Sequence, residues 1–370
     1  MRSSWGRQVV YSIFGESHGT GIGITIHHLP SGFKPDFDRI RSELDRRKPG
    51  TGIHATSRKE TDEYEIISGV LNGTLTGAPL TLFFPNSDTR SKDYLNLAVT
   101  PRPSHADYTA HIKYDGFNDG RGGGHFSGRL TAPMVFAGAL VTQLLEKLGV
   151  SIGSRISRMG LVEDYPQTLD ERLINRIASG ELKALTLPFL SEDAREDANT
   201  LLTHLRKKGD SIGGQIELCI TGVPVGWGEP IFDSLESSIS HLMFSVPGVK
   251  AIEFGAGTEF AKMKGSEAND PWIQKEGHIE TTTNHSGGIN GGISNGMPLQ
   301  FKVTFRPISS ISIPQKTVNL ETGRAEILEV KGRHDPCIVP RACPVVEAVT
   351  AIALLEAMLD QQIQEKEVWR

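Results

Sequence analysis

Cysteine occurs at only three positions, Cys219, Cys337 and Cys343. That is too few for a disulfide framework and suits a reducing compartment. Positive charge is not in excess: the formal net charge is −5, which argues against a general basic field for nucleic acid. The amino-terminal stretch MRSSWGRQVVYSIFGESHG lacks the long apolar core and small-residue cleavage site of an export signal. No apolar run of about 18 residues, the length a membrane span needs, is expected anywhere in the chain. A cytoplasmic protein with neither a membrane nor a nucleic-acid partner is expected. The common nucleotide and metal signatures are missing too. There is no G-x-x-x-x-G-K-[ST] loop, and GTGIG at 19–23 lacks the third glycine of the dinucleotide fingerprint. Neither H-E-x-x-H nor C-x-x-C occurs, and the spacing of His334, Asp335, Cys337 and Cys343 fits no familiar zinc module, so no metal is expected.

Glycine, by contrast, is plentiful at 40 of 370 residues, and it clusters. Clustered glycine lets backbone approach a ligand closely. Basic residues cluster as well, at Arg46-Arg47-Lys48, Arg121 with Arg129, and Arg333 with Arg341. In an acidic chain such clusters suit a small anionic ligand better than a polymer.

Alternation predicts strands at 8–14, 21–28, 63–70, 79–84, 214–221, 249–254 and 299–305. Amphipathic or apolar stretches bounded by caps, glycine or proline predict helices at 36–48, 105–113, 130–148, 170–179, 191–208, 234–244 and 344–364. Residues 86–104 read as a long loop of the kind that carries function. Strand pairs recur without a βαβ rhythm, which favours an α+β sandwich of antiparallel sheets. No linker or low-complexity tract divides the chain, so a single domain over 1–370 is expected. GGGHFSGRLTAP and GGINGGISNGMP echo one another, too briefly to establish a duplication.

Four groups of residues bear on chemistry. His18 sits between glycines in FGESHG after a strand, where an exposed imidazole can donate a proton near neutral pH. In RPSHADY, Ser104 is expected to cap a helix with His105 in its first turn, where the dipole attracts anions. RGGGHFSGR, from Arg121 to Arg129, offers backbone N–H groups, two arginines and a following helix as an anion cradle. NHSGGINGGISNG, FRPISS and KGRHDPC supply a second glycine loop and a cation, imidazole and carboxylate in succession at 333–335.

Taken together, FGESHG, DRRKPG, RPSHADYT, RGGGHFSGR, GGINGGISNG, FRPISS and GRHDPC resemble the chorismate synthase family, in order and over essentially the whole chain. The resemblance implies a β-α-β sandwich of antiparallel sheets around helices and a homotetramer. It implies a lyase of the shikimate pathway of aromatic amino-acid biosynthesis. The reaction would remove phosphate by 1,4-elimination from 5-enolpyruvylshikimate 3-phosphate, giving chorismate with reduced FMN as an unconsumed cofactor.

By the same resemblance, His18 protonates the departing phosphate and His105 protonates the reduced flavin or holds it protonated. Asp335 helps flavin N5 take the substrate C6 proton. Arg46, Arg102 and Arg129 meet substrate anions. Arg47, His125, Phe126, Ser127, Gly291, Arg306, Pro307, Ile308, Ser309, Ser310 and Arg333 meet the cofactor. NADPH enters only as a source of flavin reduction, and a flavin-dependent reductase is the alternative activity. Two departures stand out. Many relatives read GGGRSSAR where this chain has GGGHFSGR, so flavin contacts at His125 and Phe126 should differ. Ile53 stands where relatives often carry an arginine, and Arg47 or Arg58 would have to replace its contact.

Overall fold

The computed structural model describes residues 2–48, 62–86, 99–330 and 335–364. The first 85 residues supply β1 (Ser4–Trp5), β2 (Val10–Gly15), β3 (Gly21–His27), β4 (Glu65–Ser68), the short pair β5 (Val70–Leu71) and β6 (Thr74–Leu75), and β7 (Leu80–Pro85). Next come β8 (Ser151–Met159), β9 (Val162–Glu163), β10 (Gly214–Thr221) and β11 (Val249–Phe254). The hairpins β12 (Trp272–Lys275) with β13 (His278–Thr281) and β14 (Ile289–Asn290) with β15 (Ile293–Ser294) follow. Last are β16 (Leu299–Phe305) and the hairpin β17 (Gln315–Val318) with β18 (Ala325–Leu328). One five-stranded sheet runs β1-β2-β3-β7-β4, and the other runs β11-β16-β10-β8-β9. Every pairing in both is antiparallel.

The helices are α1 (Phe37–Arg47), α2 (Asp107–Lys113), α3 (Thr131–Glu146), α4 (Glu171–Ala178), α5 (Glu192–Lys208), α6 (Leu235–Met243), α7 (Gly265–Ala268) and α8 (Val339–Gln364). Helices α1, α3 and α8 pack on one another, and α3 touches both β3 and β8. They form the middle layer of an α+β sandwich with an antiparallel sheet on each side. One continuous apolar core joins residues from Val9 to Met358 across all three layers. Helices covered from both sides have no need of a polar face, and most of α3 is buried. The α3–α8 crossing depends on Gly138, where a Cβ would lie 2.2 Å from the Ala348 Cβ. On the far face of the second sheet, α4 covers Cys219 with Ile174 and Ile177.

Local signals explain most boundaries. Asp36, Asp170, Ser191 and Ser234 each cap a helix by accepting backbone N–H groups, the role these side chains fill best. Helix α5 stops at Gly209, in the left-handed region at φ 69°. The Asn72-Gly73 turn between β5 and β6 has both residues at positive φ, the geometry a two-residue hairpin requires.

Four expectations change. The buried strand β8 was not expected, because SIGSRISRM carries two arginines that break its pattern. Arg155 is wholly buried there, bonded to Asp164 and Glu217. Helix α8 begins five residues before Pro344, which lies inside it. Helix α2 starts at Asp107 with no side-chain cap, so Ser104 caps nothing and His105 precedes the helix. Finally, the helical stretches 128–146 and 339–362 are long and apolar enough to cross a membrane, yet both are mostly buried as core helices.

Candidate active site

A cavity of about 630 Å³ opens where segments distant in sequence converge. It is lined by Ser17, by Arg47 at the end of α1, and by residues from 102–106, 122–131, 244–250 and 305–310. Asp335, Arg341 and Val345 close it at the start of α8. The period of α1 accounts for Arg47: with Ile40 and Leu44 it forms the buried stripe of that helix. Neighbouring helix residues diverge by about 100°, so Arg46 leaves on another side. Its guanidinium binds Glu347 and Glu43, and Lys183 and Ser154 join the same buried cluster.

Gly122 on the cavity wall opens the run Gly122-Gly123-Gly124, with φ of 59°, 87° and 54°. L-residues rarely adopt three successive left-handed conformations. The surroundings exclude side chains as well. A Cβ on Gly122 would lie 1.9 Å from His18 Cε1 and Nδ1, and one on Gly124 would lie 1.9 Å from the Asp119 carbonyl oxygen. A Cβ on Gly123 would lie 3.5 Å from His105 Cε1. Two histidines from distant segments thus meet neighbouring glycines of one turn. The turn bearing His18 is tied to this wall by the Ser17 N–H, which donates to Gly124 O at 3.2 Å.

Charge is arranged in pairs around the cavity. Asp62, buried and at φ 48°, accepts from both Arg47 and Arg129. Burial pushes its carboxyl up, but the two guanidinium groups outweigh that and hold it below its ordinary value. Asp107 accepts from Arg102 and lies 2.6 Å from His105 Nδ1. Burial again opposes, and these two partners prevail, holding it well below the usual carboxylate range. Asp335 is buried and pairs with Arg341, whose Nε donates to Arg47 O at 3.0 Å. Among the described residues Arg306 donates to the carbonyls of Ser104 and Pro307, and Lys250 adds a further cation. Cations outnumber carboxylates, so the lining suits an anionic ligand.

The chorismate synthase family profile matches residues 9–359. The chain belongs to the chorismate synthase family. A chorismate synthase of Dehalococcoides mccartyi is 44% identical over 360 residues, covering 97% of each chain. One of Thermococcus gammatolerans is 44% identical over 361 residues, covering 97% of this chain and 98% of the relative. A crystal structure of chorismate synthase superposes with a TM-score of 0.74 at 27% identity, over 96% of this chain and 93% of the other. The family is one of lyases, and the sandwich described above is its fold.

For a chorismate synthase of this sequence, the cavity gathers Arg47, Arg102, His105, His125, Phe126, Ser127, Arg129, residues 306–310 and Asp335. His18 stands behind Gly122 at its edge. Arg46 does not line it, for the helical reason given. Nor does Gly291, in the turn between β14 and β15. Arg333, Ile53 and Arg58 lie outside the described residues, as does most of the 86–104 loop. His125 turns away from an anion-binding part: its Nδ1 lies 3.0 Å from Gly15 O and its Nε2 3.2 Å from Ser3 Oγ. The ring straps β2 to the glycine wall, while Phe126 keeps an exposed face.

The lining would suit a phosphate-bearing ligand with a planar ring. Arg306, Ser309, Ser310 and Lys250 offer cations and hydroxyls for its phosphate. The glycine wall admits close approach, and Phe126 offers an apolar surface for a ring. Among the described residues no group of three or more histidine, cysteine or acidic side chains could hold a metal ion. Sequence reasoning missed Asp62, the turn at 244–250 and the place of Arg341. Only Arg341, by its clustering with Arg333, carried a signal.

Proposed function

We propose that this cavity catalyses the 1,4-elimination of phosphate from 5-enolpyruvylshikimate 3-phosphate, giving chorismate for aromatic amino-acid biosynthesis, with reduced FMN as an unconsumed cofactor. The observation that carries the reading is the convergence of His18 and His105 on one glycine turn at the edge of a cation-rich cavity. When bound, reduced FMN supplies electron density to the reacting substrate with no net redox change. In this reading Arg47, Arg102 and Arg129 bind the carboxylates and phosphate of the substrate. Ser127 and residues 306–310, with Arg333, hold the cofactor. His18 gives its proton to the departing phosphate, which leaves with the C3–O electron pair. His105 holds a proton beside the cofactor. Asp335, kept in place by Arg341, helps accept the C6 proton. NADPH enters only as a source of flavin reduction.

We further propose a single-domain chain that assembles as a cytoplasmic homotetramer. Three buried free cysteines suit a reducing compartment, and exposed Ile67, Leu71, Ile231 and Phe232 offer apolar area for assembly.

The test is an anaerobic assay with chemically reduced FMN below the substrate concentration. Chorismate and phosphate should appear together over many turnovers. Turnover on oxidised FMN without any reductant, or product limited to one equivalent per flavin, would overturn the proposal.

A further inference from the structure

Asp107 opens α2 and its side chain is almost wholly buried beside the cavity. Its carboxylate gathers four contacts. Oδ2 accepts from Arg102 Nε at 2.7 Å and from the Arg102 backbone N–H at 3.0 Å. Oδ1 accepts from Arg102 Nη2 at 2.7 Å and lies 2.6 Å from His105 Nδ1. Together these fill about the four lone-pair sites a carboxylate offers. The turn that makes this possible is unusual: Ser104 takes φ 60°, and its carbonyl accepts from Arg306. His105 N–H then donates back to Arg102 O at 3.2 Å. Arg102 extends the group by donating from Nη1 to Ser310 Oγ at 3.0 Å.

One pair of distances decides where the imidazole proton sits. Arg102 Nη2 also lies 3.1 Å from His105 Nδ1. A bare Nδ1 accepting from the arginine would turn its lone pair toward a carboxylate oxygen 2.6 Å away, which is repulsive. A proton on Nδ1 makes that short contact a charge-assisted hydrogen bond. Arginine and imidazole then both donate to Oδ1, and their mutual contact follows from sharing it. Free neutral imidazole favours the other tautomer, so the carboxylate must impose this one. Nε2 has no hydrogen bond among the described residues, and a Cβ on Gly123 would lie 3.6 Å from it. It is the ring atom left to the cavity.

We propose that Asp107 is a positioning residue that fixes His105 in the Nδ1–H tautomer, so that Nε2 is the atom exchanging a proton with the cavity's occupant, while the same carboxylate holds Arg102 against Ser310. The proposal rests on the reading of His105 as a proton carrier and adds the group that sets its tautomer.

The deciding experiment is a long-range nitrogen-15 NMR spectrum of the ligand-free full chain, with the His105 signal assigned by its loss in His105→Gln. At a pH where the ring is neutral, Nδ1 should be protonated and Nε2 bare. A protonated Nε2, or an even mixture, overturns the proposal. Asp107→Asn should move the signal toward a mixture, lower Tm by leaving Arg102 without its buried partner, and lower kcat by about 10- to 100-fold. KM should rise as Arg102 is released. In a His105→Gln background the same substitution should lower kcat little further. An equal loss in both backgrounds would show that Asp107 does not act through His105. If Asp107→Asn fails to fold, the wild-type tautomer still decides. Because that spectrum needs neither substrate nor flavin, a failed chorismate assay with Nδ1–H intact counts against the proposed reaction alone.

Discussion

His18 and His105 reach the glycine turn from segments far apart in sequence, and the proposed role of each has a measurable consequence for turnover. His18→Ala and His105→Ala should each lower kcat by about 10²- to 10⁴-fold, the range for loss of a general acid or base. Thermal unfolding should stay near wild type, since neither side chain belongs to the apolar core. Asp335→Asn should bind both ligands and fail in a single-turnover flavin absorbance experiment, which reads the chemistry after binding is complete. Normal single-turnover rates with weakened binding would reduce Asp335 to a prop for Arg341. The places of His105 and Asp335 on the cavity and of His18 beside it could be anticipated only from their strings taken together, since each string alone also reads as an ordinary turn. That of Asp62 could not. It lies in an unremarkable acidic stretch, and its importance comes from two arginines, 15 and 67 residues away, that meet only in the folded chain.

At the scale of elements, the glycine wall is a steric device before it is an anion cradle. Gly122→Ala would force a left-handed L-residue, costing about 1–2 kcal/mol, and would drive its Cβ into the His18 ring. The expected outcome is a larger fall in kcat than in Tm, measured by steady-state assay and thermal melt. Wild-type kcat would mean that His18 relaxes without consequence. Elements with one clean rule were readable: α1, α4 and α5 announce themselves by Asp36, Asp170 and Ser191 at their caps. Strand β8 was hidden because Arg155, Ser154 and Ser157 read as surface residues. Inside the fold they pair with Glu217, Asp164, Glu347 and Gln215. Pairing across the fold is not a local property, so no window of sequence reveals it. Helix α8 was placed five residues late because proline usually marks a first turn. The early start brings Arg341 to the cavity.

The whole molecule ties its layers together with buried charge as well as apolar area. Glu347 on α8 meets Arg46 from α1, Lys183, and Ser154 of β8. Burial would raise its carboxyl, but Arg46 and Lys183 outweigh it and bring it from 4.5 down to about 2. A depressed carboxyl contributes stability above its unfolded value and loses it as protons bind. Unfolding free energy should therefore fall as pH drops from about 4.5 toward 2. Glu347→Gln should flatten that fall while lowering stability at neutral pH, where Arg46 and Lys183 lose their shared anion. An unchanged acid limb would place the linkage elsewhere, with Asp62 and Asp107 next in line.

The layered antiparallel architecture was legible from the recurring strand pairs. The helical middle layer came only from the family resemblance, because apolar helices such as α3 and α8 show no preferred face when covered on both sides. The cavity itself is a property of that assembly, drawing Arg47 from the end of α1 and Arg306 from just after β16. Its occupancy is the central claim, and a crystal structure with oxidised FMN and 5-enolpyruvylshikimate 3-phosphate tests it most directly. Both ligands should lie in this cavity, with substrate anions on Arg47, Arg102 and Arg129 and the flavin within reach of His105. Flavin density at any other place on the chain would contradict the account.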